Sequence, residues 1–203
     1  ERDITRIITH GTVTESCMLE ERKNNYMGCV FGQSGQFGLA FCDLSTGAFF
    51  ATTCSDPRAV ASELGRFTPS EVLRFGQGVE DEAISDVLFR RLSCCVDEGK
   101  AEDFDFEKAC TCLESHFGRS VEELGLASFS AALTASGALL QTLLTLQKND
   151  LKHIRELQYY TTGRFMELDL AARRNLELTE TMRSKEKKGT LLWVLDKTHT
   201  AMG

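Results

Sequence analysis

Residues 26–53 read YMGCVFGQ-SG-QFGLAFCDL-STG-AFFATT, three runs rich in aromatic and aliphatic residues that two short breaks separate. The breaks are Ser34-Gly35 and Ser45-Thr46-Gly47. Short breaks of this composition between alternating runs are typical of β-hairpins. The stretch therefore predicts three consecutive strands, at 26–33, 36–44 and 48–53, that form a meander.

After the meander the pattern changes to helical spacing. Asp56 is a suitable N-cap residue, and Pro57 suits the first turn of a helix. The residues that follow place one apolar face on this helix: Val60, Ala61, Leu64 and Phe67. A short apolar run at 71–75 predicts a strand, 79–92 a helix, and 93–96 an edge strand. Strands followed by helix, strand and helix predict an α/β domain with a mixed sheet.

The remainder of the chain is mainly helical in pattern. An acidic loop at 99–105 precedes a short helix at 106–117, and the longest helix is predicted at 128–147. Gly137 lies in the middle of this long helix, where it costs about 1 kcal/mol relative to alanine, so close packing is expected there. Thr162-Gly163 is the predicted domain boundary. Near the start, residues 3–14 predict a short β-branched strand.

The composition is that of an ordinary water-soluble domain. The chain has 203 residues, 42% hydrophobic and 26% charged, which leaves room for one large or two small domains. No apolar run is long enough to span a membrane and no signal peptide is apparent, so a cytoplasmic location is expected. The first residue is not Met, so we expect an excised piece of a longer protein.

Charge is unevenly distributed along the chain. Residues 1–147 hold 12 Lys and Arg and 22 Asp and Glu, a net charge of −10, whereas residues 148–203 hold 11 and 8, a net charge of +3. Phosphate binding needs concentrated positive charge. The first part is therefore a poor nucleic-acid surface and suits a protein partner or a scaffold.

The eight cysteines do not have the spacing of a zinc site. Zinc ligands usually come in Cys-x-x-Cys pairs, whereas Cys94 and Cys95 are adjacent, and Cys110 and Cys112 are two residues apart. We expect buried thiols that act as small hydrophobic side chains. His153 is likewise expected to be packed or hydrogen-bonded rather than a ligand.

Several sequence blocks match one family in order and spacing. The run 169–181, followed by Leu191-Leu192 and Val194-Leu195-Asp196-x-Thr198-x-Thr200-Ala-Met-Gly203, closely resembles the start of the core (lever) region of the bacterial MutS family of mismatch-repair proteins. The blocks 6–12, 19–25, 41–47 and 151–155 resemble the MutS connector domain. At His10 the family's turn usually carries a proline, so this loop is expected to be less rigid.

The resemblance implies a ribonuclease-H-like, mixed-sheet connector domain at 1–160, followed by an α-helical, truncated piece of the core domain at 161–203. In the family the connector links the mismatch clamp to the core and ATPase and offers a docking surface for MutL. The resemblance also implies that the intact protein is a homodimer that senses mismatched DNA and uses ATP and Mg²⁺.

The chain itself has no phosphate-binding loop, so the ATP site of the family is expected to be absent here. We also expect this fragment to have no catalytic, cofactor-binding or metal-binding residues. The predicted partner-binding edge is the stretch 142–152, at the end of the long helix. Its residues are Thr142, Thr145, Lys148 and Lys152.

Two alternatives are open. A degenerate ribonuclease-H-like nuclease would hold metal with carboxylates, of which Asp43 and Glu63 are candidates; a turn-capping role for Asp43 and a surface role for Glu63 are favoured instead. A DNA-binding helical module would use Arg173, Arg174 and residues 185–188. The apolar faces of the helices after Gly163, which include Trp193, are expected to be partly exposed, self-associated or poorly ordered.

Overall fold

A computed structural model of the chain describes residues 9–12, 25–147, 151–162, 170–184 and 186–196. The chain divides into two compact units, Glu1–Arg164 and Phe165–Gly203. Within the described residues, none of the helices has the length and apolar character needed to cross a membrane.

The first unit is built on one sheet, and its described part contains six strands. Their order in the sheet is β5-β4-β1-β2-β3-β6. The meander pairs are antiparallel, whereas β4 runs parallel to β1, β5 to β4 and β6 to β3. The predicted α/β class with a mixed sheet is therefore confirmed. The strands are β1 Tyr26–Gln33, β2 Gln36–Asp43, β3 Ala48–Cys54, β4 Glu71–Gly76, β5 Cys95–Glu98 and β6 Leu157–Tyr159.

Helices cover both faces of this sheet. They are α1 Pro57–Phe67, α2 Glu82–Ser85, α3 Phe106–Phe117 and α4 Ser130–Gln147, with a π-helical segment at Asp86–Arg91 and 3-10 helices at His10–Thr12 and Ala101–Phe104. Asp56 caps α1 as predicted, since its Oδ1 accepts from the N–H groups of Arg58 and Ala59 at 2.9 Å each. Cys29, Ala40 and Leu133 belong to the core on the α4 face, and Leu39, Phe41 and Leu64 to the core on the α1 face.

Helix α4 is buried on almost every side because it lies between the sheet and α3. A Cβ added at Gly137 would lie 2.5 Å from Cα of Ala109 and still closer to its Cβ. A Cβ at Gly38 would collide with the backbone of Ala131 at the start of α4. Glycines therefore allow the close approach of α4 to both neighbours, which confirms the packing predicted at Gly137.

Three predicted elements differ from the structure. The edge strand at 93–96 lies at Cys95–Glu98, and the helix at 79–92 is a short α-helix that continues as π-helix. Of the strand predicted at 3–14, the residues His10–Thr12 form a 3-10 helix, and most of the others lie outside the described residues. Strand β6 is absent from the sequence prediction, because three residues are too few to show an alternating pattern.

The described part of the second unit contains two short helices, α5 Leu170–Asn175 and α6 Leu191–Leu195. Thr190 caps α6 by accepting from the N–H of Trp193 at 3.1 Å. Every side chain of α6 is between 41% and 67% exposed, Trp193 at 49%. The predicted exposure of an apolar face at Trp193 is therefore observed.

Candidate partner-binding edge

The predicted edge begins in the last two turns of α4. Thr142 is half-buried and Thr145 is exposed, and their hydroxyls donate to the carbonyls of Ala138 and Gln141, at 2.9 Å each. These hydroxyls are thus hydrogen-bonded within their own helix. Lys148 lies outside the described residues, and Lys152 is exposed.

An open groove of about 540 Å³ lies beside Lys152. Three segments form it: the last two turns of α3, the end of α4, and the loop at 151–155. Neither Thr142 nor Thr145 lines the groove, so the structure brings only Lys152 of the described predicted residues into it. The lining residues are Cys112, Ser115, His116, Phe117, Leu144, Lys152, Ile154 and Arg155.

The loop at 151–155 is fixed by its own packing and by hydrogen bonds. Leu151 and Ile154 are 3% and 2% exposed, and the N–H of Ile154 donates to the carbonyl of Leu151 at 2.9 Å. His116 Nε2 donates to the carbonyl of Ile154 at 3.0 Å, and His153 Nε2 donates to the carbonyl of Leu44 at 2.9 Å. The hydrogen-bonded role predicted for His153 is confirmed, and the groove is preformed.

The charge of the groove contrasts with that of the unit that contains it. Lys152 and Arg155 are cationic, and none of the described lining residues is acidic, whereas residues 1–147 carry a net charge of −10. The C-terminal ends of α3 and α4 contribute only partial negative charge. Sequence reasoning missed Arg155, although its spacing of three from Lys152 is visible in the sequence.

The two carboxylates considered for a nuclease are engaged in separate hydrogen-bond networks. Asp43 is buried, and its Oδ1 accepts from Ser45 N at 2.8 Å and Ser45 Oγ at 2.6 Å, so it caps the turn after β2 as predicted. The surface role predicted for Glu63 is wrong, because Glu63 is only 6% exposed. It accepts from the hydroxyl of Tyr160, which comes from the far end of the unit's sequence. The described residues contain no group of three or more His, Cys, Asp or Glu that could hold a metal ion.

The thiols follow the prediction in part. Cys29, Cys42, Cys54 and Cys94 are buried, whereas Cys95 is exposed. Burial raises the pKa of Cys29 and Cys42 strongly, and it raises the pKa of Cys94 to about 12. Burial therefore favours the neutral form of Cys29, Cys42 and Cys94, which is less nucleophilic than the thiolate.

The predicted DNA-proximal residues lie on α5 of the second unit. Arg174 is exposed, and Arg173 precedes it on the same helix. Of the cationic run at 185–188, Lys185 lies outside the described residues, and Lys187 forms an ion pair with Asp196 at 2.5 Å. Residues 165–203 hold 7 Lys and Arg and 6 Asp and Glu, a net charge of +1. This small surplus gives little support to DNA binding by the helices alone.

Comparison with known proteins identifies the family. The family model described as MutS domain II matches residues 25–155, and that of MutS domain III matches residues 171–203. The chain is 40% identical over 206 residues to the DNA mismatch repair protein MutS of Ruminiclostridium cellulolyticum and to that of Acetivibrio thermocellus, and 41% identical over 208 residues to that of Alkaliphilus metalliredigens.

These matches cover 100% of this chain and 23%, 23% and 24% of the three relatives. The chain thus spans about a quarter of the length of the curated relatives that it matches. The domain II model covers more than half of the chain, and the domain III model covers most of the C-terminal remainder. The chain therefore belongs to the MutS family of DNA mismatch repair proteins, of which it carries the regions called domains II and III.

Proposed function

We propose that this chain is a non-catalytic linking and docking part of a MutS protein. In this proposal residues 1–160 form a ribonuclease-H-like connector, and residues 161–203 form a helical part of the core domain. The connector joins the mismatch-binding and ATPase regions of a cytoplasmic, homodimeric protein and docks MutL. The observation that carries the docking role is the preformed cationic groove at the predicted edge.

The proposal that this chain is not itself catalytic rests on the hydrogen bonds of the two carboxylates considered for a nuclease, Asp43 and Glu63. Asp43 Oδ1 is committed to a turn while Oδ2 is buried, and Glu63 is committed to Tyr160 and Arg66. ATP and Mg²⁺ would then act elsewhere in an intact MutS protein. The nuclease alternative has a direct assay: cleavage of nucleic acid with Mg²⁺ or Mn²⁺ that Asp43→Asn abolishes would support it over the docking role.

The groove has the chemistry expected of a site for a protein segment. Its volume is within the range of about 300–1,000 Å³ that is typical of binding pockets. Phe117 and Leu144, both half-buried, supply apolar surface, and Lys152 and Arg155 supply positive charge. A segment of MutL that presents acidic side chains beside an apolar side chain would match both the positive charge and the apolar surface of the groove. Thr142 and Thr145, on the adjoining turns of α4, are proposed as contacts at the margin of the groove.

The test is the affinity of the purified chain for a purified MutL-type protein, measured by fluorescence titration. We expect the double substitution Lys152→Glu and Arg155→Glu to weaken binding at least about tenfold and to reduce its salt dependence, because reversed charges repel an acidic segment. Arg90→Glu is a control for one charge reversal outside the groove, since Arg90 is exposed and lies on the π-helical segment that follows α2. Equal affinity of wild type and the double variant would refute docking at this groove.

A further inference from the structure

A second, smaller hollow adjoins the groove at Arg155. It is open, with a volume of about 300 Å³. The turn at 45–47, the start of β3 and the chain at 153–158 contribute to it. Arg155 lines both the groove and this second hollow. A protein segment that lies in the groove can therefore continue past Arg155 into the second hollow.

Close packing and a hydrogen bond preform the second hollow. A Cβ added at Gly47 would lie 2.6 Å from the carbonyl oxygen of His153, so the turn at 45–47 is packed tightly against the loop. Gly47 also has a φ of 76°, a conformation that glycine adopts without strain. In the same region, His153 Nε2 donates to the carbonyl of Leu44 at 2.9 Å. The hollow therefore needs no rearrangement of this turn before a partner binds.

The two hollows differ in the charges that line them. The described lining of the groove holds Lys152 and Arg155 and no acidic residue, whereas Glu156 lines only the second hollow. Glu156 and Gln158 are exposed, and neither side chain forms a hydrogen bond or an ion pair with another described residue. Leu157 between them is buried, so the alternation of the strand turns both polar side chains to the same, outer side. Both are available to a ligand.

A segment that is acidic along its whole length does not suit this surface. Its acidic side chains are attracted by Lys152 and Arg155, but those that continue past Arg155 meet the like charge of Glu156. Like charges that face each other across an interface oppose binding. A nucleic-acid backbone meets the same repulsion. A cationic side chain at this point removes the repulsion and pairs with Glu156 instead.

We propose that the second hollow receives a lysine or arginine side chain of the same MutL segment whose acidic side chains lie in the groove. The docked segment then carries mixed charge, acidic on the groove side of Arg155 and cationic on the side of Glu156. Gln158, which points to the same side as Glu156, offers its amide oxygen as a second acceptor. This inference rests on the docking role proposed above and adds the sign of the charge that the partner presents at each hollow.

The test is the affinity of the full 203-residue chain for a purified MutL-type protein, measured by fluorescence titration of Glu156→Gln. This substitution removes the charge and keeps the size of the side chain. We expect binding to weaken about two- to fivefold, as for the loss of an exposed ion pair, and Glu156→Lys to weaken it further. Glu80→Gln is the matched control, since Glu80 is exposed and lines neither hollow, and we expect it to bind as wild type does.

The sign of the change in affinity decides the inference. If the docked segment is acidic throughout, Glu156 repels it and Glu156→Gln binds more tightly than wild type. If the segment does not reach the second hollow, the affinity of Glu156→Gln is unchanged. Either result overturns the inference, and so does an equal loss of affinity in Glu80→Gln. Weaker binding by the Lys152→Glu, Arg155→Glu variant alongside either result would leave docking at the groove in place and refute only the mixed-charge segment.

Discussion

The substitution Gly137→Ala places helix propensity and packing in opposition. In an exposed helix this change stabilises by about 1 kcal/mol. At position 137, however, the added Cβ would lie 2.5 Å from Cα of Ala109 and even closer to its Cβ. Carbon atoms in contact are separated by about 3.5–4.0 Å. The atoms in the way belong to the backbone and Cβ of α3, so a rotamer change cannot relieve the overlap.

The expected cost depends on the movement that the overlap forces. Helix α3 would have to shift by more than about 1 Å, and overpacking of this kind costs about 1–3 kcal/mol. Contacts of 2.5 Å and less to Ala109 are severe, which places the cost in the upper part of this range, at about 2–3 kcal/mol. After the propensity gain of about 1 kcal/mol is subtracted, we expect a net loss of about 1–2 kcal/mol in the free energy of unfolding of the first unit. At about 2–4 °C per kcal/mol for a protein of this size, Tm should fall by roughly 2–8 °C.

Urea unfolding followed by circular dichroism measures this loss. Ala109→Gly is the matched partner substitution, because it removes the Cβ that lies closest. The double variant Ala109→Gly, Gly137→Ala should therefore be more stable than the sum of the single effects predicts, by at least about 0.5 kcal/mol. If Gly137→Ala alone is as stable as wild type or more stable, the packing argument for α4 is wrong.

Three further predictions concern buried polar and ionisable groups. Burial raises the pKa of Cys29 and Cys42, so the stability that their neutral thiols contribute is complete below the ordinary thiol pKa of 9.0 and is lost as pH rises. Urea titrations should show the free energy of unfolding falling above about pH 9, by up to about 1.4 kcal/mol per pH unit for each thiol. A flat profile would contradict this prediction. Glu71→Ala should cost about 2 kcal/mol by urea unfolding, because Glu71 Oε2 accepts from the buried N–H of Gly11 at 2.7 Å; a loss below about 0.5 kcal/mol would contradict it. Asp43→Ala should cost about 1–2 kcal/mol in the same assay, since the turn after β2 loses its cap, and an unchanged midpoint would argue against that role.

The elements predicted from sequence are those whose determinants are local. Ser34 and Gly35 have φ values of 50° and 77°, the left-handed pair that a two-residue hairpin requires. The cap on α1 involves Asp56 and the two residues Arg58 and Ala59. In each case the residues that make the contact are within four positions of one another, so composition and spacing were sufficient.

The features missed from sequence depend on partners that are distant in the chain. Glu63 reads as surface charge on an amphipathic helix because its partner, Tyr160, is 97 residues away. Strand β6 pairs in parallel with β3 across a separation of about one hundred residues, and nothing in its three residues shows that pairing. The groove is formed by three segments, and the pattern of residues within each segment gives no sign that the three lie together.

The loop at 151–155, strand β6 and Tyr160 are consecutive, yet separate contacts hold the two ends of this segment. At the groove, the carbonyl of Ile154 is held by His116 of α3, on one face of the sheet. At the other end, the hydroxyl of Tyr160 donates to Glu63 of α1, on the other face. Charge reversal at Lys152 and Arg155 therefore leaves the contacts of Tyr160 unchanged. Weaker MutL binding by the Lys152→Glu, Arg155→Glu variant would therefore report on the groove and not on the attachment of β6 to the sheet.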